Sequence, residues 1–258
     1  MKLPWWRLAW ILCLSLLVSA HTMIKTFVMV NLRLMTRAKA DIITRLWATR
    51  MLNVVKIKRH IVQTQPLQFL PNRAYLLMSN HSSLYDIPLI FESIPGSVRM
   101  IAKKELYRIP LFGFALRTNE FVCIDRKNRQ QSAIDLQEAR RKMENGIILW
   151  AAPEGTRTRT GQLQAFKKGI FMMALETNAI VIPIGIRGVY DVLPPDTFDF
   201  KLNQSVSVHI GEPIDSTTCQ DKETLMRLVA EQMSTLTDLP LPSQNSSNTP
   251  NSLTEASS

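Results

Sequence analysis

The side chains of this chain best suited to acid–base chemistry are a histidine and a carboxylate five residues apart. They are His81 and Asp86, in the segment NHSSLYD at residues 80–86. An imidazole can accept a proton near neutral pH, and a carboxylate bonded to its other ring nitrogen orients it. On a continuous helix the two side chains would point about 140° apart. They can therefore meet only if His81 lies in a turn and Asp86 in the first turn of a helix, with Ser82 or Ser83 as the cap. The alternative is a loop histidine and an unrelated first-turn acid that complements the helix dipole.

A second segment, PEGTR at residues 153–157, has the composition of an anion-binding turn. Gly155 lets the backbone approach a ligand, Thr156 offers a hydroxyl, and Arg157 can donate two parallel hydrogen bonds to a phosphate. Further cations follow in the sequence or end another predicted strand: Arg126, Arg159, Lys167 and Lys168. The alternative is a solvated turn with scattered charge.

The excess positive charge of the chain lies entirely near its N-terminus. Residues 1–60 contain eleven Lys or Arg and one acid, Asp41, whereas the remaining residues carry twenty charges of each sign. These N-terminal cations alternate with tryptophans and leucines, which favours an anionic bilayer surface over nucleic acid as the partner. The three cysteines are widely spaced and form no CxxC motif, so they indicate neither a disulfide framework nor a zinc site and fit a reducing, cytoplasmic setting.

The apolar stretch Leu8–Ile24 has three interpretations. Its seventeen residues would span roughly 25 Å as a helix, against about 30 Å for a hydrocarbon core. It can cross the bilayer at a tilt, lie in one leaflet, or be a cleaved secretory signal. Four more cations follow it directly, at positions 25–39, which favours a retained anchor with both ends on the cytoplasmic side. Residues 42–55 then have the periodicity of an amphipathic helix, either interfacial or facing the core, and the neighbouring tryptophans and arginines favour the membrane.

Beyond residue 60, short apolar runs alternate with helical periodicity, a pattern typical of an α/β domain. The predicted strands are Ala74–Met78, Phe121–Ile124, Ile147–Trp150, Ala179–Ile186 and Val206–Ile210. The predicted helices are Leu84–Glu92, Gln130–Glu144, Lys167–Glu176 and Asp221–Thr235. His81, Arg126 and the PEGTR segment each follow a predicted strand, so we expect them at one crevice along the carboxyl ends of the sheet.

These patterns predict three parts of the chain. Residues 1–60 form a helical membrane-association region, and residues 61–238 a single α/β catalytic domain with a mixed, largely central sheet flanked by helices. Residues 239–258 are rich in Ser, Asn, Thr and Pro, and they offer too little apolar surface to offset the entropy of ordering. They are predicted to be disordered.

Four of these segments together resemble the glycerolipid acyltransferases, most closely the bacterial 1-acylglycerol-3-phosphate acyltransferases. The family's motif NHxxxxD matches residues 80–86, its arginine-containing second motif matches 121–126, its FPEGTR motif is met by 153–157, and its proline-bearing apolar motif matches 181–184. The resemblance covers most of residues 70–215. One departure is Ala152, which stands where the third motif usually has phenylalanine.

The resemblance implies a role for each matching residue. His81, oriented by Asp86, would be the general base, and the matches to the acceptor-binding motifs are Arg126, Glu154, Gly155, Thr156 and Arg157. We expect the two arginines to hold a phosphate, Gly155 to shape the loop, Glu154 to orient those donors or the glycerol, and Pro183 with its neighbours to wall an acyl channel. The implied reaction transfers an acyl group from acyl-CoA or acyl carrier protein to the sn-2 hydroxyl of lysophosphatidate, without a metal or other cofactor.

Other functions remain open at this stage. Within the same chemistry, the acceptor could be a different lysolipid, such as a lyso-ornithine lipid or a lysophospholipid. A lipid hydrolase would use His81 to activate water, although the chain has no GxSxG nucleophile motif. A membrane-binding module without catalysis is the third possibility. The expected location is the cytoplasmic face of the inner membrane, and the sequence fixes neither the acyl chain length nor the donor nor the oligomeric state.

Overall fold

An eight-stranded mixed sheet forms the centre of the protein. The computed structural model describes residues 3–124 and 129–241. The strands are β1 (Lys58–Gln63), β2 (Tyr75–Ser79), β3 (Val98–Lys103), β4 (Val122–Ile124), β5 (Ile148–Ala151), β6 (Ile180–Arg187), β7 (Ser205–Ile210) and β8 (Ile214–Asp215). The helices are α1 (Trp5–Asn31), α2 (Arg37–Val54), α3 (Asp86–Ser93), α4 (Phe112–Thr118), α5 (Arg129–Glu144), α6 (Lys168–Glu176), α7 (Val189–Val192) and α8 (Lys222–Thr237).

The strand order is β1-β7-β6-β2-β5-β3-β4, with β8 paired to β6. All pairs are parallel except those that β6 makes with β7 and with β8. The fold is therefore a mixed α/β sheet flanked by helices, as the sequence predicted. The carboxyl ends of the adjacent strands β2 and β5 lie at the same edge, because the two strands run parallel.

Strand β2 shows why these apolar runs become central strands. All five of its residues are buried, as expected for a parallel strand covered on both faces. Successive side chains of the central strands enter two separate clusters, because strand side chains alternate between faces. One cluster contains Leu77, Trp150 and Ile182, and the other contains Leu76, Leu149 and Val181. Helices α1 to α4 cover the first cluster, and helices α5, α6 and α8 cover the second.

The N-terminal region departs from the sequence prediction in two ways. The predicted boundary at residue 60 falls inside β1, which pairs with β7 at the edge of the sheet. Helix α2 was predicted to favour the membrane, yet it buries Ala40, Ala48 and Leu52 and packs against α3. One side of α2 therefore faces the core, while Ile42 (58% exposed) and Leu46 (45% exposed) lie at the surface. Of the predicted tail at 239–258, the part from residue 242 onward lies outside the described residues.

Helix α1 is longer than the charge-free stretch at Leu8–Ile24. Its 27 residues correspond to roughly 40 Å, and among the described residues it is the helix long and apolar enough to cross a membrane. Most of its surface is not buried by the rest of the protein, and Trp5 is 80% exposed. It packs on α2 through a hydrogen bond from Trp47 Nε1 to Ser19 Oγ (3.1 Å) and on α4 through the rings of Phe27 and Phe114.

A buried ion pair fastens α2 to the sheet. Arg99, on β3, is 1% exposed, and its Nη1 lies 2.7 Å from Asp41 Oδ1. Arg99 also donates to the carbonyl groups of Asn119 and Val98, and Ser97 Oγ donates to the other carboxylate oxygen of Asp41 (2.6 Å). The arginine explains why the sequence did not reveal β3, since a charge interrupts its apolar pattern.

Replacing Asp41 with Ala should destabilise the protein strongly, because it leaves the Arg99 guanidinium buried without its counter-ion. We expect the free energy of unfolding to fall by about 3 kcal/mol, which should lower Tm by roughly 6–12 °C for a chain of this size. Thermal unfolding in detergent measures the change. The control is Glu144→Ala, which breaks an exposed pair with Arg140 and should cost less than about 0.5 kcal/mol. Equal losses in the two variants would contradict this account.

Candidate active site

The structure brings His81 and Asp86 together. His81 lies in the loop between β2 and α3, and Asp86 is the first residue of α3. The ring nitrogen Nδ1 of His81 is 2.7 Å from Asp86 Oδ2. The Asp86 side chain is fully buried, whereas that of His81 is 20% exposed and lines a cavity. A proton on Nδ1, assigned from this bond, leaves Nε2 able to accept a hydrogen bond.

The carboxylate of Asp86 closes this turn. Its Oδ2 accepts from the backbone N–H groups of Ser82 (2.8 Å) and Ser83 (2.9 Å) in addition to His81. The helix cap is Tyr85, which makes no side-chain capping bond. The cap residue is therefore neither Ser82 nor Ser83, although the Ser83 hydroxyl accepts from the N–H of Tyr85 (3.3 Å). An anionic oxygen can accept several donors that a serine hydroxyl could not, and this lets the chain fold back onto Asp86.

Asn80 anchors the same loop to the neighbouring strand. Its Nδ2 donates to the carbonyl of Ile186 (2.9 Å), and its Oδ1 accepts from the N–H of Ile186 (2.8 Å). These two bonds are the pair that a backbone residue of a neighbouring strand would make, so the Asn80 side chain extends the pairing of β2 with β6 by one residue. Asn80 belongs to the NHxxxxD motif but had no predicted role, and its position directly after the buried strand β2 was the available signal.

Glu154 holds the backbone of His81. It is 1% exposed, and its Oε1 accepts from the N–H of His81 (2.9 Å), while its Oε2 accepts from the N–H of Gln164 (3.0 Å). The carbonyl of His81 accepts in turn from the N–H of Thr158 (2.8 Å). Glu154 lines neither of the two cavities described below. The bonds of its carboxylate thus support the backbone at His81 and Gln164, and its expected role in orienting the arginines or the glycerol stays a prediction.

The environment of Glu154 favours its protonated form. Burial raises its pKa to about 7, and the nearby Asp86 carboxylate adds to this effect, while the two N–H donors act in the opposite direction. In the folded protein the pKa of Glu154 is therefore about 7, well above the ordinary value of 4.5 for a glutamate.

A cavity of about 860 Å³ joins the two predicted segments. Its lining includes His81 from the first segment, Gly155, Thr156 and Arg157 from the second, and also Trp150. Gly155 has φ 78°, a left-handed conformation that favours glycine, and its N–H donates to the carbonyl of Ala152 (3.0 Å). Histidine and guanidinium thus border one space.

The remaining predicted cations divide into three groups. Arg159 lines the same cavity. Lys167 and Lys168 do not line it. Lys168 pairs with Glu223 at 3.7 Å, and Lys167, which precedes α6, donates its backbone N–H to the carbonyl of Pro153 (2.7 Å). Arg126 lies outside the described residues.

A second cavity, of about 410 Å³, is almost entirely apolar. It lies between α1, α2, α3, α4 and the segment at 193–200. Leu84, Ile87 and Met100 line both cavities, so the two spaces adjoin. Pro183 lines neither of them, which does not fit its expected place in the wall of an acyl channel.

Comparison with known proteins places this chain in a family. A model of the acyltransferase family matches residues 56–187, about half of the chain. The chain belongs to the acyltransferase family, which confirms the resemblance noted in its motifs.

Individual relatives agree with this assignment. A 1-acyl-sn-glycerol-3-phosphate acyltransferase of Cocos nucifera is 38% identical over 120 residues, covering 46% of this chain and 39% of that protein. Proteins of the same name are 30% identical over 141 residues in Haemophilus influenzae (54% of this chain, 58% of that protein) and, as the alpha form, 29% identical over 170 residues in Homo sapiens (65% and 60%). The chain thus spans between 39% and 60% of the length of these relatives.

A solved structure resembles nearly the whole chain. The crystal structure of the 1-acyl-sn-glycerophosphate (LPA) acyltransferase PlsC from Thermotoga maritima superposes with a TM-score of 0.70 and is 27% identical. The match covers 89% of this chain and 91% of that one, so it includes much of the N-terminal region that lies before residue 56.

The raised pKa of Glu154 predicts a pH-dependent stability. A carboxyl group whose pKa is higher in the folded than in the unfolded protein contributes stability at pH values below its unfolded pKa. This stability is lost as pH rises through the folded pKa, which for Glu154 means between about 4.5 and about 7. Between pH 5 and 8, the wild type should lose on the order of 2–3 kcal/mol relative to Glu154→Gln. Tm values of both proteins at pH 5, 6, 7 and 8 measure this difference. Parallel curves would show that Glu154 does not titrate in this window.

Proposed function

We propose that this protein transfers an acyl group from an acyl thioester to the sn-2 hydroxyl of 1-acylglycerol-3-phosphate, giving phosphatidate. The observation that carries the proposal is that His81 and Arg157 line one cavity. A base and a phosphate-binding cation must both reach an acceptor that carries a hydroxyl and a phosphate a few ångströms apart. The names of the related proteins support the same acceptor.

His81 serves as the general base. Its Nε2 accepts the proton of the acceptor hydroxyl as that oxygen attacks the thioester carbonyl carbon. A carbon–oxygen bond forms, the carbon–sulfur bond breaks, and the proton held by the imidazolium passes to the leaving thiolate. Asp86, already bonded to Nδ1 at 2.7 Å, stabilises the imidazolium between these steps. No covalent acyl-enzyme is needed, because the acceptor oxygen is itself the nucleophile.

The loop at residues 155–159 holds the phosphate. Arg157 and Arg159 supply guanidinium donors, Thr156 adds a hydroxyl, and Gly155 gives the turn its left-handed backbone. Arg126 keeps its proposed role as a phosphate ligand through its match to the family's second motif. Neither a metal nor another cofactor takes part in the proposed reaction, and the donor is acyl-CoA or acyl carrier protein.

The apolar cavity holds an acyl chain beside the reacting groups. Its volume of about 410 Å³ and its shared boundary with the larger cavity allow a chain to lie between the helices while the headgroup stays near His81. Helix α1 lines this cavity and carries the exposed tryptophans. We propose that α1 holds the protein in the cytoplasmic leaflet of the inner membrane, where the lipid substrate enters from the bilayer and the thioester from water.

Removing the imidazole should stop the reaction without releasing the protein from membranes. The variant His81→Ala should acylate lysophosphatidate about 10²–10⁴-fold more slowly, measured with labelled acyl-CoA and membranes that contain equal amounts of protein. The control is His60→Ala, which removes an exposed histidine on β1 and should act like the wild type.

The products of this assay separate the possible functions. Formation of phosphatidate indicates the proposed transferase, and formation of free fatty acid alone indicates a hydrolase. If neither product forms, the protein is a binding module. A panel of lysolipids in the same assay tests the acceptor. Normal turnover by His81→Ala would refute the mechanism.

The phosphate role of Arg157 predicts a change in acceptor binding. Arg157→Gln should raise KM for lysophosphatidate about 10-fold or more, because a charge-assisted hydrogen bond to phosphate is lost. The KM for the acyl thioester should change less. Arg227→Gln, which removes an exposed guanidinium on α8, is the matched control. A larger effect on the thioester than on lysophosphatidate would place Arg157 at the donor instead.

A further inference from the structure

One carboxylate faces the proposed phosphate-binding arginines. Asp196, in the segment between α7 and β7, lines the larger cavity together with Arg157 and Arg159. Its Oδ2 is 3.0 Å from Nη2 and 3.1 Å from Nε of Arg159, and its Oδ1 is 3.5 Å from Nη2 of Arg157. A single acid therefore occupies donors of both guanidinium groups.

We propose that Asp196 is a built-in counter-ion that competes with the substrate phosphate for Arg157 and Arg159. It occupies the two guanidinium groups in the empty site, is displaced when the acceptor binds, and returns when the product leaves. This inference rests on the proposed function, and it assigns to that site a residue that weakens the binding of acceptor and product alike.

The contacts of Asp196 are suited to displacement. The side chain is 55% exposed, and an exposed ion pair contributes little to stability because water competes for both partners. A phosphate monoester carries up to two negative charges and three acceptor oxygens, so it can satisfy both arginines better than one carboxylate. The exchange therefore favours the phosphate when it is present and the carboxylate when it is absent.

The arginine loop has supports that do not depend on Asp196. The hydroxyl of Tyr190 donates to the carbonyl of Arg159 (2.8 Å), and the ring of Tyr190 packs against Gly161. The N–H of Thr158 donates to the carbonyl of His81 (2.8 Å). The backbone that carries the guanidinium groups is thus held while the carboxylate exchanges with the ligand.

The competition bears on product release. Lysophosphatidate and phosphatidate carry the same phosphate group, so the arginines bind both, and the acylated product also gains apolar contacts. A carboxylate that returns to the arginines lowers the affinity for product as well as for acceptor. Asp196 thereby raises KM and limits inhibition by the product.

The test is Asp196→Asn, which removes the charge and keeps the shape. Asp196 has φ 59°, and Asn is among the residues that adopt this left-handed region most readily. The KM for lysophosphatidate and the inhibition constant of phosphatidate, both measured in mixed micelles, should each fall about three- to tenfold, with kcat unchanged or lower. Because the repulsion scales with headgroup charge, the fall in KM should be smaller for a monoanionic lysophosphodiester.

Asp238→Asn is the matched control. Asp238 has the same left-handed backbone (φ 59°), pairs with Arg187, and lines neither described cavity. It should leave both constants at their wild-type values. A fall in KM in this control as large as in Asp196→Asn would overturn the proposal, since it would show a general effect of net charge.

Binding of inorganic phosphate to the full-length protein in detergent provides a readout without turnover. The affinity should rise about three- to tenfold in Asp196→Asn. If the wild type makes phosphatidate but the variant changes neither KM nor phosphate affinity, the counter-ion proposal is wrong and the proposed function stands. If the wild type makes no phosphatidate while the variant still binds phosphate more tightly, the proposed function is wrong and the counter-ion role stands.

Discussion

The site depends on one buried carboxylate oxygen. Asp86 Oδ2 accepts from three donors within five residues of chain, two backbone N–H groups and the ring nitrogen of His81. A carboxylate with no exposed surface is costly unless its charge is compensated, and these donors compensate it only when the loop turns back on α3. The same bonds therefore fold the turn and fix the direction of the imidazole. A residue at position 86 whose side chain could not accept these hydrogen bonds would lose both the fold of the turn and the direction of the imidazole.

The loop that carries His81 and the segment that carries Arg157 are joined by hydrogen bonds. The N–H of His81 is held by Glu154 and its carbonyl by Thr158, the residues on either side of Gly155–Arg157. The backbone that presents Arg157 is thus the backbone that supports His81. The distance between His81 and Arg157 is therefore set by these two hydrogen bonds. This explains why a buried acid stands in a segment that otherwise attracts anions.

The sequence predicted the strands with a continuous apolar run or a regular alternation, such as β7, and missed strands with neither pattern. The central strands β2, β5 and β6 are continuous apolar runs, and all were predicted to within two residues. Strand β1 is mostly exposed and pairs only at the edge, so no alternation reveals it, and β3 contains the buried Arg99. At the site, the spacing of His81 and Asp86 restricted the possible geometry to a turn followed by a helix. The role of Glu154 could not be predicted, because its partners are backbone groups brought together by the parallel pairing of β2 with β5.

The N-terminal helices contribute to the site as well as to membrane association. The family match begins at residue 56, after α1 and α2 have ended, yet Leu12 and Met23 of α1 and Trp47 of α2 line the apolar cavity that adjoins His81. The ion pair between Asp41 and Arg99 fixes α2 to the sheet, and Trp47 in turn bonds to α1. In the proposed function, a lipid that enters along α1 would contact the side of the apolar cavity formed by α1 and α2, whose position is set by their contacts with the rest of the protein. The apolar helix α1 and the buried ion pair therefore fix one side of the apolar cavity together, and in the proposed function the same contacts would set the position of the acyl chain.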